Sequence, residues 1–123
     1  MSSLDNQAPQ ARPSSSARRV ATARAVHQLL DEPSVLADPF ALPILEPSLR
    51  RCVIDDPFQF NDPAARSMRA AVVGRSRLAE DTFTEALAEG VRQLVILGAG
   101  LDTFTLRAAA DHPCVPPRIT PAY

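Results

Sequence analysis

Apolar residues in the first ninety positions recur at helical spacing. Val20, Ala23, Val26, Leu29 and Leu30 follow a period of about 3.6 residues and predict a helix over residues 17–30. One of the three serines at positions 14–16 is expected to cap its start, because a serine hydroxyl accepts from the first free backbone N–H groups. The segment 31–34, with Pro33, is expected to end this helix.

A longer helix is predicted from residue 63 to residue 89. Asp62 and Pro63 are a typical N-cap and first helical residue, and Gly90 suits the position after the last turn. Between the two helices, prolines allow at most a short helix in residues 35–45, and residues 47–62 show little periodicity. The helical period of the long helix is kept by Met68, Ala71, Val72, Leu78, Ala79, Phe83, Ala86 and Leu87.

The pattern changes after the long helix. Residues 94–97 are continuously apolar and predict a strand buried on both faces, as in a parallel sheet. Gly98-Ala99-Gly100 follows directly, and residues 103–110 predict another helix. Helix, buried strand, glycine loop and helix are typical of the beginning of a doubly wound α/β fold. The predicted fold class is therefore α/β, with N-terminal helices before the first strand and glycine loop of a truncated Rossmann-like domain.

Four regions are predicted along the chain. Residues 1–16 form a flexible polar tail, residues 17–90 a helical cap region, and residues 91–110 the beginning of the α/β domain. Residues 111–123 contain four prolines and are expected to be irregular. The predicted strand has no neighbouring strand in this sequence, so its N–H and C=O groups would be unpaired. We expect oligomerisation or aggregation through that strand.

Charge and composition exclude several kinds of partner. The chain has 123 residues, 13 basic and 14 acidic, so no nucleic-acid partner and no anionic membrane surface is expected. No apolar run approaches the roughly 20 residues of a membrane span, and the N-terminus lacks a secretory pattern, so the cytoplasm is the expected compartment. No metal site is expected either. The candidate ligands Cys52, Cys114, His27 and His112 lie too far apart in the sequence to match the spacing of known metal-binding motifs.

The glycine loop is the segment that carries chemistry. Two glycines after a buried strand let the backbone approach a ligand closely, although an ordinary tight turn would use them too. A dinucleotide fingerprint needs a third glycine where Thr103 stands, and the charge of Asp102 would repel a pyrophosphate. S-adenosylmethionine has no phosphate and carries a cationic sulfonium. The loop therefore favours a methyltransferase over a nucleotide-dependent oxidoreductase.

Four short segments carry recognisable patterns. Residues 14–25 resemble S-x-T-A-x-x-V-A-x-x-R-A, with Ser16 in place of threonine, and residues 37–41 contain D-P-x-A. Residues 75–81 read R-x-R-x-x-x-D, and residues 90–103 read as a strand and glycine loop. Together and in this order, they resemble the leucine carboxyl methyltransferase family and its bacterial relatives, which are S-adenosylmethionine-dependent O-methyltransferases. The resemblance extends over about residues 14 to 110.

The resemblance implies methyl transfer from S-adenosylmethionine to a carboxylate or hydroxyl of a small-molecule substrate that the sequence does not identify. The loop glycines would lie under the cofactor, and Arg75 would reach its carboxylate, a geometry that suits a planar guanidinium. Arg107 could contact the ligand or form an ion pair near the last helix. No catalytic residue can be named. The cofactor-binding residues implied are Arg75, Gly98, Ala99, Gly100, Asp102 and Thr103.

A second function from another class stays open. The helix of residues 63–89 could serve a non-catalytic helical module that binds a partner protein. Such a module gains nothing from Gly98 and Gly100, whereas a cofactor site needs them. Cofactor binding at the loop therefore separates the two functions.

Overall fold

A computed structural model describes residues 12–111 of the chain. Both predicted tails lie largely outside this range, in residues 1–11 and 112–123. The described part is helical. In chain order it forms α1 (Ser15–Leu30), α2 (Pro47–Asp55), a short 3₁₀ helix (Pro57–Phe60), α3 (Pro63–Ala88) and α4 (Phe104–Asp111).

The helix ends lie where the capping residues predicted them. The Ser14 side chain accepts from the Ala17 amide at 3.1 Å and begins α1. At the start of α3, Asp62 Oδ1 accepts from the Ala65 amide at 3.0 Å. Gly90 follows the last turn of α3 with φ +104°, a backbone conformation that residues other than glycine rarely adopt. These predicted ends are confirmed. The sequence could predict them because each end depends on residues within one turn of it.

The core lies between α1, the segment of residues 41–45 that follows it, and α2. It is built from small and branched residues, which allow close helix contacts, and α1 packs mainly on α3. Helix α2 formed where the sequence showed little periodicity. Arg50 stabilises its start by donating to the carbonyls of Leu42, Pro43 and Leu45, at 2.8–3.1 Å. The buried cluster comprises Ala21, Ala25, Val26, Ala41, Leu45 and Val53.

The predicted strand is not formed. Residues 91–97 have no regular structure, and no strand occurs anywhere in the described part of the chain. The side chains of Val95 and Leu97 are 68% and 82% exposed, so the expectation of burial on both faces is wrong for these residues. A strand exists through hydrogen bonds to a neighbour, and residues 12–111 supply none. The Rossmann-like sheet is therefore absent from the described residues.

The second half of α3 is largely exposed to solvent. Val73 is buried, but Leu78, one and a half turns later, is 68% exposed. Phe83 regains a partner in Phe104 of α4, with ring centroids 5.6 Å apart in an edge-to-face contact. No helix in the described range is long and apolar enough to cross a membrane.

A buried polar cluster joins the last turn of α1 to α3. The Nε2 atom of His27 accepts from the amides of Val35 and Leu36, each at 3.2 Å. The ring proton is therefore assigned to Nδ1, which donates to Asp31 at 2.7 Å. Arg69 of α3 donates to both oxygens of the same carboxylate, at 2.8 and 3.1 Å.

Acid is expected to weaken this cluster. The hydrogen bond from Arg69 holds the pKa of Asp31 below its usual 3.8, although partial burial acts in the opposite direction. A lowered folded-state pKa contributes stability that is complete above the unfolded-state pKa and is lost as the pH falls through the folded value. Urea unfolding followed by circular dichroism at pH 6, 4 and 3 should show the free energy of unfolding falling in acid. The fall should be smaller in Asp31→Asn; equal pH profiles would contradict this role for Asp31.

Candidate functional site

The glycine loop after residue 97 adopts the conformation that its glycines allow. Gly98 and Gly100 have φ of +60° and +53°, in the left-handed region where other L-residues cost about 1–2 kcal/mol. A Cβ added at Gly98 would meet nothing within 4 Å, so the backbone conformation alone requires glycine there. At Gly100 an added Cβ would lie 3.2 Å from the Cβ of Ala17. Gly100 therefore also permits the close approach of α1.

Helix α1 holds the loop through a buried arginine. The Nη2 atom of Arg24 donates to the carbonyl of Leu101, and Arg24 is only 5% exposed. Its Nε is buried and has no hydrogen-bond partner within the described residues. Among those residues, no carboxylate forms an ion pair with Arg24. A buried cation without a counter-ion is costly, so an anion is expected beside it in the complete site.

The loop ends in a cap for α4. Asp102 Oδ1 accepts from the Phe104 amide at 2.8 Å, and the carbonyl of Ala99 accepts from the Asp102 amide at 2.9 Å. Asp102 thereby places a negative charge at the start of α4, which is where a dinucleotide-binding fold would receive a pyrophosphate. Thr103 is completely buried, and its hydroxyl donates to Asp38.

The two arginines considered for the ligand have different surroundings. Arg75 is exposed on α3. Arg107 is mostly buried and donates to both oxygens of Glu80, at 2.9 and 2.5 Å. This hydrogen bonding raises the pKa of Arg107, and burial opposes it only in part. Of the two roles left open for Arg107, the described residues show the ion pair.

The structure brings the loop residues Gly98 to Thr103 together beside α1, whereas it leaves Arg75 on an exposed face of α3. Their binding roles stay predictions. Arg24 and Asp38 occupy fixed positions of two of the family patterns in the sequence, but no site role was assigned to either. A signal for Arg24 was present, because it lies on the same face of α1 as Ala21 and Ala25, where a charge is unusual.

A separate groove lies on the other side of α1. It has a volume of about 480 Å³ and is lined in part by Arg18, Arg19, Phe60 and Met68, and by no residue of the glycine loop. Arg19 crosses it to contact the sulfur of Met68 at 3.8 Å. Within residues 12–111, no group of three His, Cys, Asp or Glu side chains could hold a metal ion.

Comparison with known proteins identifies the family. The family model described as leucine carboxyl methyltransferase matches residues 17–114, which include the cap helices and the glycine loop. This chain belongs to the leucine carboxyl methyltransferase family. No solved structure matches it.

Three relatives share the name "putative S-adenosyl-L-methionine-dependent methyltransferase". The one from Mycobacterium marinum is 38% identical over 94 residues, covering 74% of this chain and 30% of the relative. The one from Mycobacterium avium is 38% identical over 102 residues, covering 76% and 32%. The one from Streptomyces coelicolor is 45% identical over 53 residues, covering 40% and 19%. This family member thus spans about a third of the length of its mycobacterial relatives.

Proposed function

We propose that this chain binds S-adenosylmethionine at the glycine loop and serves methyl transfer to an oxygen nucleophile, a carboxylate or a hydroxyl. The observation that carries the proposal is the pairing of an exposed loop, which has two left-handed glycines, with a buried arginine that has no counter-ion among residues 12–111. The methionine end of the cofactor has a carboxylate. Arg24 would bind that carboxylate beside Leu101, where its guanidinium already lies.

The charges around the loop favour S-adenosylmethionine over a dinucleotide. Asp102 caps α4 with a carboxylate, and a pyrophosphate at that helix start would meet its repulsion. A sulfonium is cationic and tolerates an acidic neighbour. S-adenosylmethionine supplies the electrophilic methyl group, so the residues described here have to bind and orient it. Membership of the leucine carboxyl methyltransferase family supports the same cofactor.

Calorimetric titration tests the cofactor and its orientation together. The full chain is titrated with S-adenosylhomocysteine, with methylthioadenosine, which lacks the amino acid carboxylate, and with NAD. We expect saturable binding of the first two and none of NAD. Saturable binding of NAD alone would contradict the proposal. A folded chain that binds none of the three would favour the helical interaction module, for which the exposure of Leu78 on α3 is the supporting observation.

The arginine is tested by its selectivity. Arg24→Met should weaken S-adenosylhomocysteine binding about tenfold more than methylthioadenosine binding, because only the first ligand loses a charge-assisted hydrogen bond. Losing the hydrogen bond from Arg24 to the Leu101 carbonyl affects the loop equally for both ligands. Arg75→Met is the matched variant, since the sequence assigned the carboxylate to Arg75. If Arg75→Met shows the selective loss and Arg24→Met does not, the carboxylate binds at α3 instead.

A further inference from the structure

The glycine loop is anchored at its end by a buried hydrogen bond. The hydroxyl of Thr103 donates to Oδ2 of Asp38 at 2.5 Å, and the two residues are 0% and 4% exposed. The carbonyl of Thr103 accepts from the amides of Leu106 and Arg107, each at 3.1 Å, in the first turn of α4. Thr103 therefore joins the loop and α4 to one carboxylate that lies 65 residues earlier in the chain.

Asp38 is itself held in place by α1. Its amide donates to Oε1 of Gln28 at 3.0 Å, and Gln28 Nε2 donates to the carbonyl of Leu36 at 2.9 Å. Oδ1 of Asp38 accepts from the Phe40 amide at 3.0 Å. The carboxylate thus has a defined position before it meets Thr103.

A shared arginine offsets the buried charge. The Nε atom of Arg107 lies 3.4 Å from Oδ1 of Asp38, and the side chain of Asp38 is 0% exposed. The other guanidinium nitrogens of Arg107 bind Glu80 of α3. One cation therefore lies between two carboxylates and links α3, α4 and the Asp38 segment. The loop end and α4 are thereby fixed to two parts of the cap region, α3 and the Asp38 segment.

We propose that Asp38 is a positioning residue of the cofactor site, which acts through Thr103 to hold the glycine loop in its binding conformation. This inference rests on the proposed function. A loop that is ordered before the ligand arrives loses less conformational entropy on binding, so its affinity is higher. Asp38 touches no ligand in this account. The Thr103 hydroxyl faces the protein, and its effect on the cofactor is indirect.

Two substitutions of the same threonine test the inference. Thr103→Val keeps the shape and removes the hydroxyl, and Thr103→Ser restores the hydroxyl. The readouts are S-adenosylhomocysteine affinity and hydrogen exchange of the amides of residues 98–103. We expect Thr103→Val to bind about tenfold more weakly, with faster exchange in the loop, because a hydrogen bond to a charged group is lost. Thr103→Ser should stay close to the original chain in both.

Asp31→Asn is the control for lost stability, because it removes a partly buried carboxylate that accepts from His27 and Arg69 and forms no hydrogen bond with the loop or with Asp38. It should lower the melting temperature without changing affinity or loop exchange. If affinity follows melting temperature equally in Thr103→Val and Asp31→Asn, Asp38 has only a structural role and the inference is overturned. Unchanged affinity in Thr103→Val overturns it as well. Should Thr103→Val not fold, Asp38→Asn is judged by the same criteria.

These experiments distinguish a failure of the proposed cofactor binding from a failure of the proposed role of Asp38. No binding by the folded original chain would overturn the proposed function and this inference together. Binding by the original chain that Thr103→Val leaves intact would overturn the inference alone.

Discussion

Arg69→Met is expected to cost more stability than any other substitution considered for the cap region. Arg69 is 5% exposed and donates to Asp31, to the Asn61 side chain at 2.9 Å and to the Phe60 carbonyl at 3.3 Å. The methionine fills similar space, removes the Arg69 donor from the Asn61 and Phe60 oxygens and leaves the Asp31 carboxylate with His27 alone. Breaking one partner of a fully buried ion pair costs about 3–5 kcal/mol, compared with a usual total of about 5–15 kcal/mol. Because the Asp31 side chain is 32% exposed, we expect a loss near the lower end of that range.

The matched variant is Arg66→Met, which removes the same charge from an exposed site one turn earlier on α3. It should change the free energy of unfolding by less than about 0.5 kcal/mol. Urea denaturation followed by circular dichroism at pH 7 measures both. Equal losses in the two variants would mean that the Arg69 cluster does not hold α1 to α3.

Gly98→Val is expected to have the largest effect on cofactor binding. Its φ of +60° is one that a β-branched residue hardly adopts, so the loop must change conformation. We expect S-adenosylhomocysteine affinity to fall about tenfold or more, since left-handed strain of about 1–2 kcal/mol must be overcome to bind. Calorimetric titration measures the loss.

Gly74→Val supplies the control, because Gly74 lies within α3 and an added Cβ there would also meet nothing within 4 Å. The same side chain is added at both positions, but only Gly98 has a left-handed backbone. Gly74→Val should leave affinity unchanged and should not lower the melting temperature, since valine has the higher helix propensity. An equal loss of affinity in both variants would show that the left-handed conformation of Gly98 is not the cause of the loss.

Local signals in the sequence were sufficient for the helix ends. Ser14, Asp62 and Gly90 each act within one turn, so their roles do not depend on the rest of the fold. Helix α2 was harder to predict from the sequence. Its start depends on hydrogen bonds from Arg50 to three preceding carbonyls, and these leave no periodic pattern of apolar residues. The predicted strand needed hydrogen bonds from a neighbour, and a run of apolar residues cannot supply its own partner.

The packed face of α1 shows the same limit. Leu29 fits the apolar pattern yet is 42% exposed, whereas Arg24 and His27 are buried. Their partners are Leu101 and the segment around Val35, which lie elsewhere in the sequence. The glycine loop could be predicted because a left-handed turn requires glycine itself. The residues that hold it could not, since contacts between distant segments set their positions.

The most direct test of the central claim is to map the ligand on the chain. Amide NMR spectra of the ¹⁵N-labelled chain are recorded as S-adenosylhomocysteine is added. We predict saturable shifts concentrated at Gly98, Ala99, Gly100, Leu101 and Asp102, with a smaller shift at Arg24. Shifts confined to the groove lined by Arg18, Arg19, Phe60 and Met68, or a folded chain with no shifts at saturating ligand, would contradict the claim that the glycine loop binds the cofactor.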